Sequence, residues 1–228
     1  MIDARISTDA DTACLVEKVG NVVRKIMSNP PFDTSHDYTH IERVVSLAHK
    51  LLDDEKQRHP DRNHDRLLVT LTAMLHDISD SKYIIPPAVN SDDRPAAVNA
   101  AEGILLEGGA APKLASTVQL LASHVSCSFE LRNPGIIDDL VARYPELAIV
   151  SDADRLDALG GMGIARAFTF GGAHGRTVDE TREVFESKLL MRERLMRTQK
   201  GKLMAAERCQ RMRQWMDWWD AELNELAA

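Results

Sequence analysis

Apolar residues recur at three- and four-residue steps along most of this 228-residue chain, and that spacing constrains the fold more than any other feature. It gathers them on one face of an α-helix, whereas a half-buried strand alternates at every second residue. From Asp9 to Met27 the stripe is Leu15, Val19, Val22, Val23 and Ile26; from Thr39 to about Asp53 it is Ile41, Val44, Val45, Ala48, Leu51 and Leu52. Between Arg66 and Ile78 it is Leu67, Leu68, Leu71, Met74 and Leu75. The pattern predicts further helices over Ala96–Leu106, Pro112–His124 and Glu146–Leu159, then two long C-terminal helices over about residues 179–226, broken near Gly201. Breakers punctuate them. Asn29-Pro30-Pro31 ends the first helix, and Ser91 or Asp92 is a good N-cap for the alanine-rich one. Gly108-Gly109 closes that helix, Pro112 opens the next, and Gly160-Gly161 stops another. Residues 84–95 with three prolines, and the glycine-rich stretch Thr169–Arg176, read as loops. The expectation is an all-α, single-domain helical bundle over residues 1–228.

Composition agrees with that class. Hydrophobic residues make up 44%, enough for a sizeable core, and charged residues 28%, which fits a solvated surface. Only 5% are aromatic and β-branched runs are few. No apolar stretch approaches the length of a membrane span, and the first residues lack the basic-then-apolar order of a secretory signal. Cys14, Cys127 and Cys209 are odd in number and far apart, as expected of reduced thiols in a cytoplasmic protein. A formal charge of −7 argues against long nucleic acid, which needs a basic face, and leaves a small anion as the expected partner. Trp215, Trp218 and Trp219 near the C-terminus read equally well as packing on their own domain or as a homodimer contact.

The chemistry lies in histidines and aspartates at unequal spacing. His40 begins an apolar helix, His76-Asp77 ends another, and Asp154 lies among Leu147, Ile149, Val150, Leu156 and Leu159. A buried carboxylate without a partner is unfavourable, and Asp152, Asp154 and Asp157 within six residues repel unless a cation is present. Arg155 or a helix terminus could neutralise one of the three. Imidazole and carboxylate together suit a divalent metal: manganese, cobalt, nickel, iron, magnesium or zinc. His-Asp pairs also occur at His36-Asp37 and His64-Asp65, so the joint pattern carries the inference and no single pair does.

That pattern resembles the HD-domain superfamily of metal-dependent phosphohydrolases, whose order is H…HD…D on a helical bundle. The resemblance covers roughly residues 20–175, and His40, His76, Asp77 and Asp154 match the four ligands in order. Local detail, in His36-Asp37-x-x-His40-x-x-Arg43-Val44, His76-Asp77-Ile78-x-Asp80-x-Lys82 and Asp152 to Ala158 with Gly163 to Phe168, is similar to a small stand-alone branch that includes nucleotide pyrophosphohydrolases. The tandem Asp152 and Asp154 leave the fourth ligand open between them, with the Ala-Asp-Arg-Leu alignment favouring Asp154.

The resemblance implies attack of a metal-activated water on a small phosphate ester or nucleotide. It suggests Asp80 as the group that takes or orients that water's proton, with a turn aspartate as the competing reading. Lys82, Arg43 and Arg155 are candidates for phosphate contact, and His124 for the pocket wall or a second metal. His36 and Asp37 are candidates for orienting His40. His49, His59 and His64 lie in charged surroundings and read as exposed. Two other classes stay open: a di-iron oxygenase, for which His124 is the one well-placed extra ligand, and a non-enzymatic metal- or nucleotide-binding regulator.

Overall fold

A computed structural model of the chain describes residues 9–30, 32, 34–78 and 99–227, the side chains of 226 and 227 excepted. Among these every regular element is helical, and none is long and apolar enough to cross a membrane. The helices are α1 (Asp9–Met27), α2 (Tyr38–Arg58), α3 (Arg66–Leu75), α4 (Ala100–Gly108), α5 (Pro112–Ala122), α6 (Cys127–Arg132), α7 (Pro134–Arg143), α8 (Glu146–Asp157), α9 (Gly160–Ala173), α10 (Val178–Val184) and α11 (Gln199–Ala227). A π-helical turn at Phe185–Leu189 and a 3-10 segment at Leu190–Leu195 join α10 towards α11.

Helices α2, α3 and α8 pack together at the centre. Asp37 caps α2 by accepting the His40 amide at 3.3 Å, and Asp65 caps α3 by accepting those of Leu67 and Leu68 at 2.8 and 3.1 Å. Each satisfies amides that a helix start leaves unpaired. The α2 stripe of Ile41, Val44, Ala48, Leu51 and Leu52 is buried, as is α3 from Leu68 to Leu75. Truncating a side chain such as Leu71 to alanine would cost about 2–5 kcal/mol. In α8 all residues except Asp154 are buried, so the central helix exposes one carboxylate.

The C-terminal third departs from the expected pattern. The stretch Thr169–Arg176 is a loop only from His174: α9 continues through Gly171-Gly172 to Ala173, and Gly171 lets α10 approach, since a β-carbon there would meet Thr181 Oγ1 at 2.2 Å. The break expected near Gly201 lies instead at Met196–Thr198, and Gly201 sits inside α11, where a β-carbon would meet Thr198 Oγ1 at 2.5 Å and Asp152 Oδ2 at 2.7 Å. The alanine-rich helix starts after Asn99, whose side chain makes no capping hydrogen bond; Ser91, Asp92 and residues 84–95 lie outside the described residues. Helices α6 and α7 were not anticipated. Trp215 and Trp219 pack with Phe168 of α9, and Trp215 also with Phe185, whereas Trp218 is exposed.

Candidate metal centre

Three helices deliver four side chains to one point. His40 comes from the first turn of α2, His76 and Asp77 from the turn that closes α3, and Asp154 from α8. His40 Nε2 lies 3.3 Å from Asp77 Oδ2 and 3.6 Å from Asp154 Oδ1. His76 Nε2 lies 3.5 Å from Asp77 Oδ1 and 3.7 Å from Asp154 Oδ1. The ligand atoms of His40, His76 and Asp154 all fall within 4.8 Å of one another, as metal coordination requires. Asp152 does not join them. It is buried and accepts the amides of Arg197 and Thr198 and the Thr198 hydroxyl.

Hydrogen bonding separates the two faces of each ring. His40 Nδ1 pairs with Asp157 Oδ2 at 2.8 Å, and His76 Nδ1 with the Ala73 carbonyl at 2.8 Å. The opposite nitrogens, together with Asp77 Oδ2, are buried and make no hydrogen bond among the described residues. Buried polar atoms are almost always paired, so their convergence fits a cation. Electrostatics agree. Burial would push the His76 imidazole down, but Asp77 and Asp154 hold it up at about 9. Burial would raise the carboxyls of Asp77 and Asp154, yet the two imidazoles keep both well below the usual range. The centre thus favours positive charge between its carboxylates, which a divalent ion supplies.

Asp157 organises the surround. Burial opposes its charge, but His40 and Arg43 hold its carboxyl down at about 2. Arg43 places Nε 2.7 Å from Oδ1, and Arg166 Nη1 lies 3.0 Å from Oδ2. His36 and Asp37 touch His40 in other ways: the His36 ring meets the His40 ring edge-on at 5.8 Å and pairs with Ser35 Oγ at 2.7 Å, and Asp37 accepts the His40 amide at 3.3 Å.

His76, Asp77 and Asp154 stand in the wall of a cavity of about 660 Å³. Its other charged lining residues are Arg132, Arg166, Arg176, Lys188 and Arg192, a cationic surface in a chain of net charge −7. Arg192 Nε is buried and unpaired among the described residues. Two of the suggested phosphate contacts, Arg155 and Arg43, are engaged elsewhere. Arg155 is fully buried, joining Glu130, Asp152 and the Leu195 carbonyl, and Arg43 is turned onto Asp157. Neither lines the cavity, nor does His124, whose Nδ1 bonds the Leu120 carbonyl at 2.7 Å. Asp80 and Lys82 lie outside the described residues. His49 is half-buried against Thr70 and His64 is buried, contrary to the exposed positions expected. Arg166 lies within the Gly163–Phe168 motif, whereas Arg192 sits on an irregular turn with no periodic signal.

No protein-family model matches the chain. YpgQ of Bacillus subtilis is 32% identical over 199 residues, spanning 84% of this chain and 85% of its own. The crystal structure of that protein in complex with ADP superposes with a TM-score of 0.68 at 26% identity, covering 93% of this chain and 96% of the other. An HD-superfamily hydrolase from Bacillus thuringiensis superposes with a TM-score of 0.66 at 25% identity, covering 93% and 98%. The chain belongs to the family of Bacillus subtilis YpgQ and has the helical fold of the HD-superfamily hydrolases.

Proposed function

We propose that the protein is a metal-dependent phosphohydrolase acting on a nucleotide or another small phosphate ester, with His40, His76, Asp77 and Asp154 as the metal ligands. The observation that carries this reading is the meeting of unpaired buried nitrogens and a carboxylate oxygen beside a cationic cavity. A divalent cation bound there would polarise a phosphoryl oxygen and lower the pKa of water. The chain's own residues do the rest. Asp157 holds His40 with Nε2 turned inward. Arg132, Arg176, Lys188 and Arg192 bind and orient the phosphates and stabilise charge as it develops. In this reading Asp80 takes the proton from water and Lys82 contacts phosphate. Asp80→Asn then lowers turnover and leaves metal content intact. The ADP complex of Bacillus subtilis YpgQ supports a nucleotide as the substrate class.

The test is release of phosphate and pyrophosphate from a panel of nucleotides with manganese, cobalt, magnesium and nickel, beside an Asp77→Ala control. Release by the wild type and not by the control is expected. Inorganic phosphate as product marks a phosphatase and pyrophosphate a pyrophosphohydrolase. No release under any metal overturns the reading in favour of a binding role or oxygen chemistry.

A further inference from the structure

A second cavity, of about 610 Å³, opens at the other end of the central helices. It is enclosed by Glu55 near the end of α2, residues 62–64 before α3, the end of α7, the start of α8, and Arg197-Thr198. His40 and Glu55 are fifteen residues apart on α2. A rise of 1.5 Å per residue separates them by about 22 Å, so this cavity is distinct from the metal centre.

Its unusual member is His64. The residue is only 4% exposed and lines the cavity, yet neither ring nitrogen has a hydrogen-bond partner among the described residues. A buried imidazole so placed is unfavourable unless something in the cavity pairs with it. One wall is apolar, from Val141 and Ala142 of α7 and Pro145, Ala148 and Ile149 at the start of α8. Arg62 and Asn63, both exposed, complete the lining. The Arg62 guanidinium has no ion pair among the described residues, whereas Arg197 is held by Glu130 at 2.7 Å and Asp138 at 2.9 Å. Glu55 adds a carboxylate, 3.9 Å from His59. The one uncommitted cation can pair with a single negative charge, and the Glu55 carboxylate beside it disfavours a polyphosphate, unlike the five cations of the first cavity. No three metal-ligating atoms of described residues converge here, so a metal is not the occupant.

We propose that this cavity is a second ligand site, for a small organic monoanion. Its apolar body rests on α7 and α8, its charge lies on Arg62 and Asn63, and His64 hydrogen-bonds it from below.

The experiment titrates the full-length protein with benzoate and follows the histidine ring signals by NMR, with the His64 signal assigned from His64→Gln. A shift of His64 with a Kd on the order of 1 mM is expected for so small a probe, while His40 and His76 stay still. Arg62→Ala, an exposed change that leaves the fold alone, weakens binding about tenfold, the size of one charge-assisted hydrogen bond. His64→Phe abolishes binding and keeps or raises thermal stability, because it removes unpaired polar atoms from a buried site. A static His64 signal overturns the proposal. So does a shift that survives both Arg62→Ala and His64→Phe, or loss of folding in His64→Phe and His64→Gln alike, which makes the ring a packing element. Equal binding of inorganic phosphate also overturns it, since the apolar wall then contributes nothing.

Discussion

His40 turns Nδ1 onto Asp157, 2.8 Å away and 117 residues later in the chain, and so presents Nε2 to Asp77 and Asp154. An Nδ1–H donated to a carboxylate fixes the tautomer and leaves the Nε2 lone pair for a metal. Asp157→Asn should therefore weaken metal binding by about 10–100-fold while the helical circular dichroism is retained. Isothermal titration with manganese reads this directly. Unchanged affinity would show that Asp157 serves only the fold.

Arg155 makes a second, purely structural prediction. Its side chain is fully buried against Glu130 and Asp152, and Glu130 is also held by Arg197. Removing one partner leaves buried carboxylates uncompensated, at about 3–5 kcal/mol. Arg155→Ala should lower the free energy of unfolding by that amount in chemical denaturation, and KM for nucleotide should stay unchanged in whatever protein remains folded. A raised KM with normal stability would restore Arg155 as a phosphate contact.

Two helical glycines should respond oppositely to alanine. Gly103 in α4 is exposed with open space at its β-position, so Gly103→Ala should stabilise by about 0.5–1 kcal/mol. Gly201→Ala forces a β-carbon against Thr198 Oγ1 and Asp152 Oδ2, and should destabilise by about 1–3 kcal/mol. Chemical denaturation of both variants checks the pair, and a gain in stability for Gly201→Ala would contradict the packing described.

The three cysteines should differ in reactivity. Burial, with Glu193 beside it, pushes the Cys209 thiol up to about 12, so near neutral pH the reactive thiolate is a negligible fraction. Cys14 is exposed, and Cys127 is half-buried on the wall of the metal cavity. A thiol reagent should label Cys14 at once, Cys127 more slowly and more slowly still with nucleotide bound, and Cys209 only in denaturant. Rapid labelling of Cys209 in the folded protein would contradict its burial.

Much of this was legible in residue spacing. The stripes of α1 and α2 appear at helical period because one face of each helix meets the core, whereas α3 is buried on every side from Leu68 to Leu75. The candidate site left a related signal: His76 and Asp77 are polar residues closing an apolar run, where only a partner makes burial tolerable, and Asp154 lies among the buried residues of α8. Sequence left Asp152 and Asp154 unresolved because two neighbouring carboxylates carry the same local signal. Their separation depends on the Arg197-Thr198 amides, more than forty residues away. Short helices such as α6 carry too few turns to show a period. The glycines of α9 and α11 read as breaks, because close approach between helices is invisible in one segment. Arg192, on the irregular turn before α11, had no pattern to mark it.

The most direct test of the central claim is a crystal grown with manganese, examined for anomalous scattering and paired with activity from the same preparation. The account predicts a peak within coordination distance of His40 Nε2, His76 Nε2, Asp77 and Asp154, lost together with nucleotide hydrolysis in Asp154→Asn. Manganese-dependent hydrolysis with no metal at those four residues would contradict it.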